Sequence, residues 1–189
     1  MVSKYYLLIG FILIAALTGC STNEKNDISS KLKNYKVSQT SDEMTDGDFI
    51  YRLISEKEEY PNHESVKVYA ELEYVGYKDE ITIQHAASPF FFPIQEKIRG
   101  YTIPYPMIEP LISTTLKRGV PYREEYIGSG AFSEIDNKEY RVFMEDFIEY
   151  GFPTGYYIIE GYADFWIQNN KISEPQKFHL TATIDFKVK

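Results

Sequence analysis

Two stretches near the C-terminal end set the pattern of the chain. Over residues 177–188, Phe178, Leu180, Ala182, Ile184, Phe186 and Val188 alternate with Lys177, His179, Thr181, Thr183, Asp185 and Lys187. Successive strand side chains face opposite sides, so this segment reads as a strand with one buried and one wet face. Over residues 155–167, Tyr157, Ile159, Ala163, Phe165 and Ile167 mark a core face, while Tyr156, Tyr162 and Trp166 stand on the other among Glu160 and Asp164. These two stretches are expected to pair as antiparallel neighbours, forming half of a sandwich.

Upstream, shorter runs repeat the alternation. Residues 49–54 give a first strand. Val66, Val68, Ala70, Leu72 and Tyr74 mark a second, and Ile81, Ile83 and His85 a third. Between residues 88 and 119 lie Pro89, Pro93, Pro104, Pro106 and Pro110, which argues against long central strands. Short strands are predicted at 97–103, 111–116 and 122–126. One helical stripe interrupts the strands: Tyr140, Phe143, Met144, Phe147 and Ile148 recur at helical spacing. Asp136 with Glu139 reads as a capping box, and Gly151 and Pro153 end the helix. The fold class is therefore all-β, an antiparallel β-sandwich with one short inserted amphipathic helix.

The N-terminus has another grammar. Lys4 is a short basic region, residues 5–16 are apolar, and Leu17-Thr18-Gly19-Cys20 reads as a lipobox. An apolar run this short, ending in small residues before a cysteine, is a secretory signal rather than a spanning helix. The pattern resembles bacterial lipoprotein signals. That resemblance implies thioether lipidation of Cys20 and cleavage before it. Residues 1–19 are then the signal peptide, 20–47 a lipidated flexible tether rich in polar residues, and 48–189 the sandwich. Asp42-Glu43 and Asp46-Gly47-Asp48 lack the full spacing of a calcium loop.

Composition narrows the function. The formal net charge is −8, and without the signal's Lys4 the chain holds 19 basic against 28 acidic residues. Such a balance disfavours nucleic acid and anionic lipid headgroups as partners, so membrane attachment is expected through the lipid on Cys20. Cys20 is the sole cysteine, which excludes an internal disulfide and a thiolate metal cluster. His63, His85 and His179 lie in separate segments without ligand spacing, so no metal site is expected. Ser129 lies between two glycines but without a nucleophile elbow. Glu58-Glu59 and Glu124-Glu125 are adjacent pairs whose members point to opposite faces of a strand. No catalytic residue and no cofactor are expected.

Aromatic residues make up 16% of the chain, with 17 Tyr and 12 Phe. Two groups are candidate binding residues. Phe90, Phe91 and Phe92 run together in a proline-bounded stretch whose alternate members alone a strand would bury. Tyr156, Tyr162 and Trp166 would form an aromatic strip on one sheet face, suited to stacking on sugar rings or gripping a protein. The competing reading covers that strip with the helix and folds all three Phe inward.

Three pieces carry a family resemblance: Tyr60-Pro61-Asn62-His63-Glu64-Ser65-Val66-Lys67-Val68 leading into Ala70-Glu71-Leu72, the step Leu116-Lys117-Arg118-Gly119-Val120-Pro121-Tyr122, and Phe152-Pro153-Thr154-Gly155-Tyr156-Tyr157-Ile158-Ile159. They resemble immunoglobulin-like domains of Gram-positive surface lipoproteins, and their order is similar to that of the Bacillus intracellular proteinase inhibitor type of domain. The resemblance implies an immunoglobulin-like sandwich, and as a partner a protease or another envelope protein. The expected function is a non-catalytic binding module held on the extracytoplasmic face of the cell membrane. A proteinase-inhibitor-like domain is the alternative, and a cell-wall glycan enzyme a third.

Overall fold

A computed structural model of the chain describes residues 27–62, 64–168 and 174–189. Cys20, the whole signal segment and His63 lie outside them. Two sheets form an open β-sandwich with two helices. In chain order the elements are α1 (residues 27–32), β1 (Ser41–Asp46), β2 (Phe49–Ser55), β3 (Glu59–Tyr60), β4 (Val68–Tyr74), β5 (Glu80–His85), β6 (Phe90–Phe91), β7 (Ile94–Glu96), β8 (Tyr101–Ile103), β9 (Ile112–Lys117), β10 (Tyr122–Glu125), α2 (Lys138–Tyr150), β11 (Gly155–Ile167) and β12 (Gln176–Val188).

One sheet runs β1-β2-β4-β10, and the other runs β3-β12-β11-β5-β9. β11 and β12 pair antiparallel over thirteen positions, from Gly155 opposite Val188 to Ile167 opposite Gln176. Alternation decides what each sheet offers the core. Phe49, Tyr51 and Leu53 of β2 and Ala70 and Leu72 of β4 meet Ile159, Phe165, Phe178 and Leu180 from across the sandwich. Phe49 stands 4.9 Å, ring to ring, from both Phe165 and Phe178. The sheets approach closely at Gly161. A Cβ there would lie 2.8 Å from the Tyr51 hydroxyl and 2.9 Å from Leu53, so a larger residue would force the layers apart.

α2 closes one end of the core. Its Phe143, Met144 and Phe147 are buried, whereas Ile148, expected on the same stripe, is exposed. Phe147 meets Phe152 edge-on at 5.0 Å, and Phe152 in turn meets Tyr157 and Phe186. The cap is one residue later than its sequence suggests. Asn137 accepts the Tyr140 N–H at 2.8 Å, while Asp136 accepts the N–H of Ser133.

The tether expected over residues 20–47 is packed structure from residue 27 onward. Ile28 and Leu32 of α1 are buried, and β1 pairs with β2 along its whole length. Asp42-Glu43 and Asp46-Gly47-Asp48 belong to this hairpin, with Gly47 at φ 55° in its two-residue turn. Polar composition hid the strand because β1 is an edge, exposed at nearly every position. Gln39, just before β1, and β1 itself also close the stretch of the β12 edge that β3 leaves free. Asp185 N–H donates to the Gln39 carbonyl at 3.0 Å, Thr183 N–H to the Asp42 carboxylate at 2.8 Å and Thr181 N–H to the Met44 sulfur at 3.3 Å.

The proline-rich stretch is likewise more ordered than its composition suggests. β6 and β7 run in one register along β11, with Phe90 opposite Ala163 and Glu96 opposite Tyr157. They lie on the edge of β11 that β12 does not use, and the carbonyls of Pro89 and Pro93 accept from Asp164 and Glu160. A proline lacks only the donor, so it can serve a ladder through its carbonyl.

Candidate functional site

The outer face of β11 is where the candidate residues collect, and a bulge shapes the site. Gln84 of β5 pairs with Trp166, and Phe90 of β6 pairs with Ala163. Six steps along the neighbouring β5–β6 segment thus span three along β11, and the excess loops out around residues 85–88. His85 turns inward there. Its Nδ1 donates to the Ala86 carbonyl at 2.9 Å and its Nε2 accepts from the Thr114 hydroxyl at 2.8 Å. With both nitrogens engaged and 1% exposure, His85 holds the bulge rather than serving chemistry.

Beside the bulge lies a trough of about 400 Å³ lined by Ala86, Phe91, Glu109, Pro110, Leu111, Asp164 and Trp166. β6 and β11 place Phe91 and Trp166 in its lining. The far wall is the segment 104–111, stiffened by Pro104, Pro106 and Pro110 and tied to the bulge where Ala87 N–H donates to the Ile108 carbonyl at 3.3 Å. Leu111 on this wall is 69% exposed, and Ile108, three residues before it, is 76% exposed. Next to the trough, Phe91 stacks on Tyr162 at 4.7 Å with ring planes 10° apart, and Tyr162 meets His179 at 4.8 Å. Partial burial, reinforced by the Asp164 charge, raises the Tyr162 phenol above its ordinary pKa and keeps it neutral.

The six aromatic candidates separate cleanly. Phe91, Tyr162 and Trp166 share the open face and are half-buried. Phe90 and Phe92 point into the core at 0% and 1% exposure. The three-Phe run therefore obeys strand alternation, and no protruding loop exists at 90–92. Tyr156 shares the face but is only 7% exposed. Tyr35 stacks on it at 4.6 Å, and its hydroxyl donates to Asp185. Nor does the helix cover the strip, since its apolar side packs on Tyr101 and Phe152 at the end of the core.

Sequence reasoning did not find Glu109, Pro110, Leu111 or the bulge at Ala86. The one signal available was the crowding of prolines over 104–110, which read as loop without saying where the loop lies. Chemically, the trough offers flat rings for stacking and two carboxylates, Asp164 and Glu109, as acceptors. Among the described residues no three His, Cys, Asp or Glu side chains converge in a way that could hold a metal ion. Ser129 is occupied structurally, donating to the Pro104 carbonyl at 3.2 Å. No helix among the described residues is long and apolar enough to cross a membrane. No protein-family model, curated protein or solved structure matches the chain.

Proposed function

We propose that the protein is a lipid-anchored extracytoplasmic binding domain, attached through Cys20, whose trough takes a ring-shaped, hydroxyl-rich ligand such as a unit of an envelope glycan. One observation carries the binding reading: Phe91, Tyr162 and Trp166 stay partly open on one sheet face, beside Asp164 and Glu109. Rings hold the apolar face of a sugar, and carboxylates accept its hydroxyls. The lipobox Leu17-Thr18-Gly19-Cys20 supports the anchorage.

Trp166 is the only tryptophan in the chain, so its fluorescence reports the trough directly. Titration with soluble wall-glycan fragments is expected to shift its emission saturably in the wild type and not in Phe91→Ala or Asp164→Asn. An emission that never moves sinks the glycan reading. Anchorage is tested separately, by labelled palmitate entering the wild type and not Cys20→Ala.

A further inference from the structure

The net charge of the chain is negative, but it is not evenly spread. Where α1 lies against the end of the sandwich, a cleft of about 340 Å³ is lined by Ser29, Leu32, Lys33, Thr154, Lys187 and Lys189. Lys187 and Lys189 share one carboxylate, Glu59. Lys33 has no ion-pair partner among the described residues, since its neighbour Lys31 is the one that pairs with Asp27. Three ammonium groups thus border the cleft against one acid. Two hydroxyl side chains, Ser29 and Thr154, stand beside them as further donors.

Chain length fixes what this cleft faces. Residues from 27 onward are held on the domain by Ile28, Leu32, the Tyr35–Tyr156 stack and the Asp185 contacts. Only six residues separate Cys20 from Asp27, a span of seven residue-to-residue steps. Fully extended they reach at most about 25 Å. Trp166, at the far end of the aromatic trough, lies farther along the domain than that. β11 leaves the α1 end at Gly155 and reaches Trp166 after eleven residues, about 36 Å along the strand.

We propose that the α1 end rests on the membrane, its Lys33–Lys187–Lys189 cleft taking the phosphate of an anionic phospholipid headgroup, and that the trough is the membrane-distal pole. This rests on the anchorage of Cys20 proposed above. Acidity of the whole chain then acts with the cleft rather than against it. An anionic surface repels the rest of the domain and attracts this end, which orients the molecule.

The test couples the chain from Cys20 onward, through that sole cysteine, to a maleimide lipid in vesicles with or without phosphatidylglycerol. Chemical coupling imposes the anchor whether or not cells make it, so failure of the palmitate test and failure of this one are read apart. Two tryptophan reporters face quencher-labelled headgroups: native Trp166, and Ser30→Trp on α1 combined with Trp166→Phe. Quenching is expected at position 30, growing with phosphatidylglycerol, and not at Trp166. Each lysine near an anionic surface is worth about 1 kcal/mol, so replacing Lys33, Lys187 and Lys189 by Gln weakens docking on the order of 10²-fold. Lys33→Gln alone, on a side chain with no ion pair to lose among the described residues, is expected to weaken it about fivefold without moving the melting temperature. Equal quenching at both positions, or docking indifferent to phosphatidylglycerol or to Lys33→Gln, overturns the proposal.

Discussion

Tyr156 and Trp166 leave the same face of the same strand, ten residues apart, and meet opposite fates. Tyr156 lies beneath Tyr35 with its hydroxyl on a buried carboxylate. Trp166 lines an open trough. Both residues have an apolar ring with a polar handle, and both sit on β11, paired with β12 on one side. What separates them is cover. The segment before β1 crosses the face at the Tyr156 end and stops short of the other. A ring on a sheet face becomes structure or site according to a segment more than a hundred residues away in sequence.

Asp185 is the centre of the covered end, and breaking it gives the largest expected effect. Its carboxylate accepts Ser38 N–H at 2.8 Å, Gln39 N–H at 2.8 Å and the Tyr156 hydroxyl. Asp185→Ala leaves those three donors without an acceptor while 4% exposed. The expected loss is about 3 kcal/mol, read by urea unfolding. Hydrogen exchange should quicken over residues 33–46 and stay unchanged over residues 104–111. If both segments loosen together, the two ends are not independent and the comparison fails.

Tyr156→Phe removes one of those donors and is expected to cost about 1.5 kcal/mol. It also has a pH signature. Burial, and then the hydrogen bond to Asp185, raise the Tyr156 phenol above the ordinary value of 10.0. A group with a raised folded pKa contributes stability that is fully present below the unfolded value and is lost as pH rises past it. The wild type should therefore lose stability above pH 10, more steeply than Tyr156→Phe. Tyr126, pushed up to about 12 by burial, contributes alkaline loss common to both proteins. Melting curves against pH with parallel slopes for the two would show that the phenol is not held as described.

These residues also show what the sequence made legible. Alternation placed Asp185 on the wet face of β12 and Tyr156 on the outer face of β11, and both assignments of face are right. Period-2 patterning reports direction and says nothing of what lies above a face. The cover came from residues 33–46, whose polar composition reads as tether because an edge strand and a clasp use backbone groups and carboxylates, not apolar side chains. The sandwich, the β11–β12 pair and the inserted helix were legible, since each rests on apolar periodicity. The trough was half legible: Tyr162 and Trp166 follow from alternation, whereas Phe91 was not separable from Phe90 and Phe92 in a proline-bounded run, and Ala86 and Glu109–Leu111 arrive through a bulge and a proline-rich wall that have no period.

Tyr35→Ala tests the cover itself. It removes one ring of a stacked pair and the hydroxyl that donates to the Lys97 carbonyl at 3.2 Å. Such a pair is worth about 1 kcal/mol beyond its buried area. Stability should fall by about that amount, and Tyr156 should become open to chemical modification. The covered end would then come to resemble the open one without any change in β11. Continued protection of Tyr156 would mean that Asp185 alone keeps it buried.

The smallest effect on stability is expected where the effect on function is greatest. Trp166→Ala removes a ring that faces the trough, and its core-side neighbour Phe165 is untouched at 0% exposure. Surface positions of this kind change stability by about 0.5 kcal/mol or less. If Trp166 were a structural ring like Tyr156, its removal would cost several times more, because packed neighbours would lose their contacts. Trp166 is paired across the ladder with polar Gln84 and Lys177, not with another ring, so little packing depends on it. An unchanged urea midpoint with lost ligand binding identifies the open end as a site. Here the readout is calorimetry, because the substitution removes the fluorophore. A midpoint that falls as far as that of Asp185→Ala would make the trough a structural feature, and the two ends of β11 would differ in exposure without differing in role.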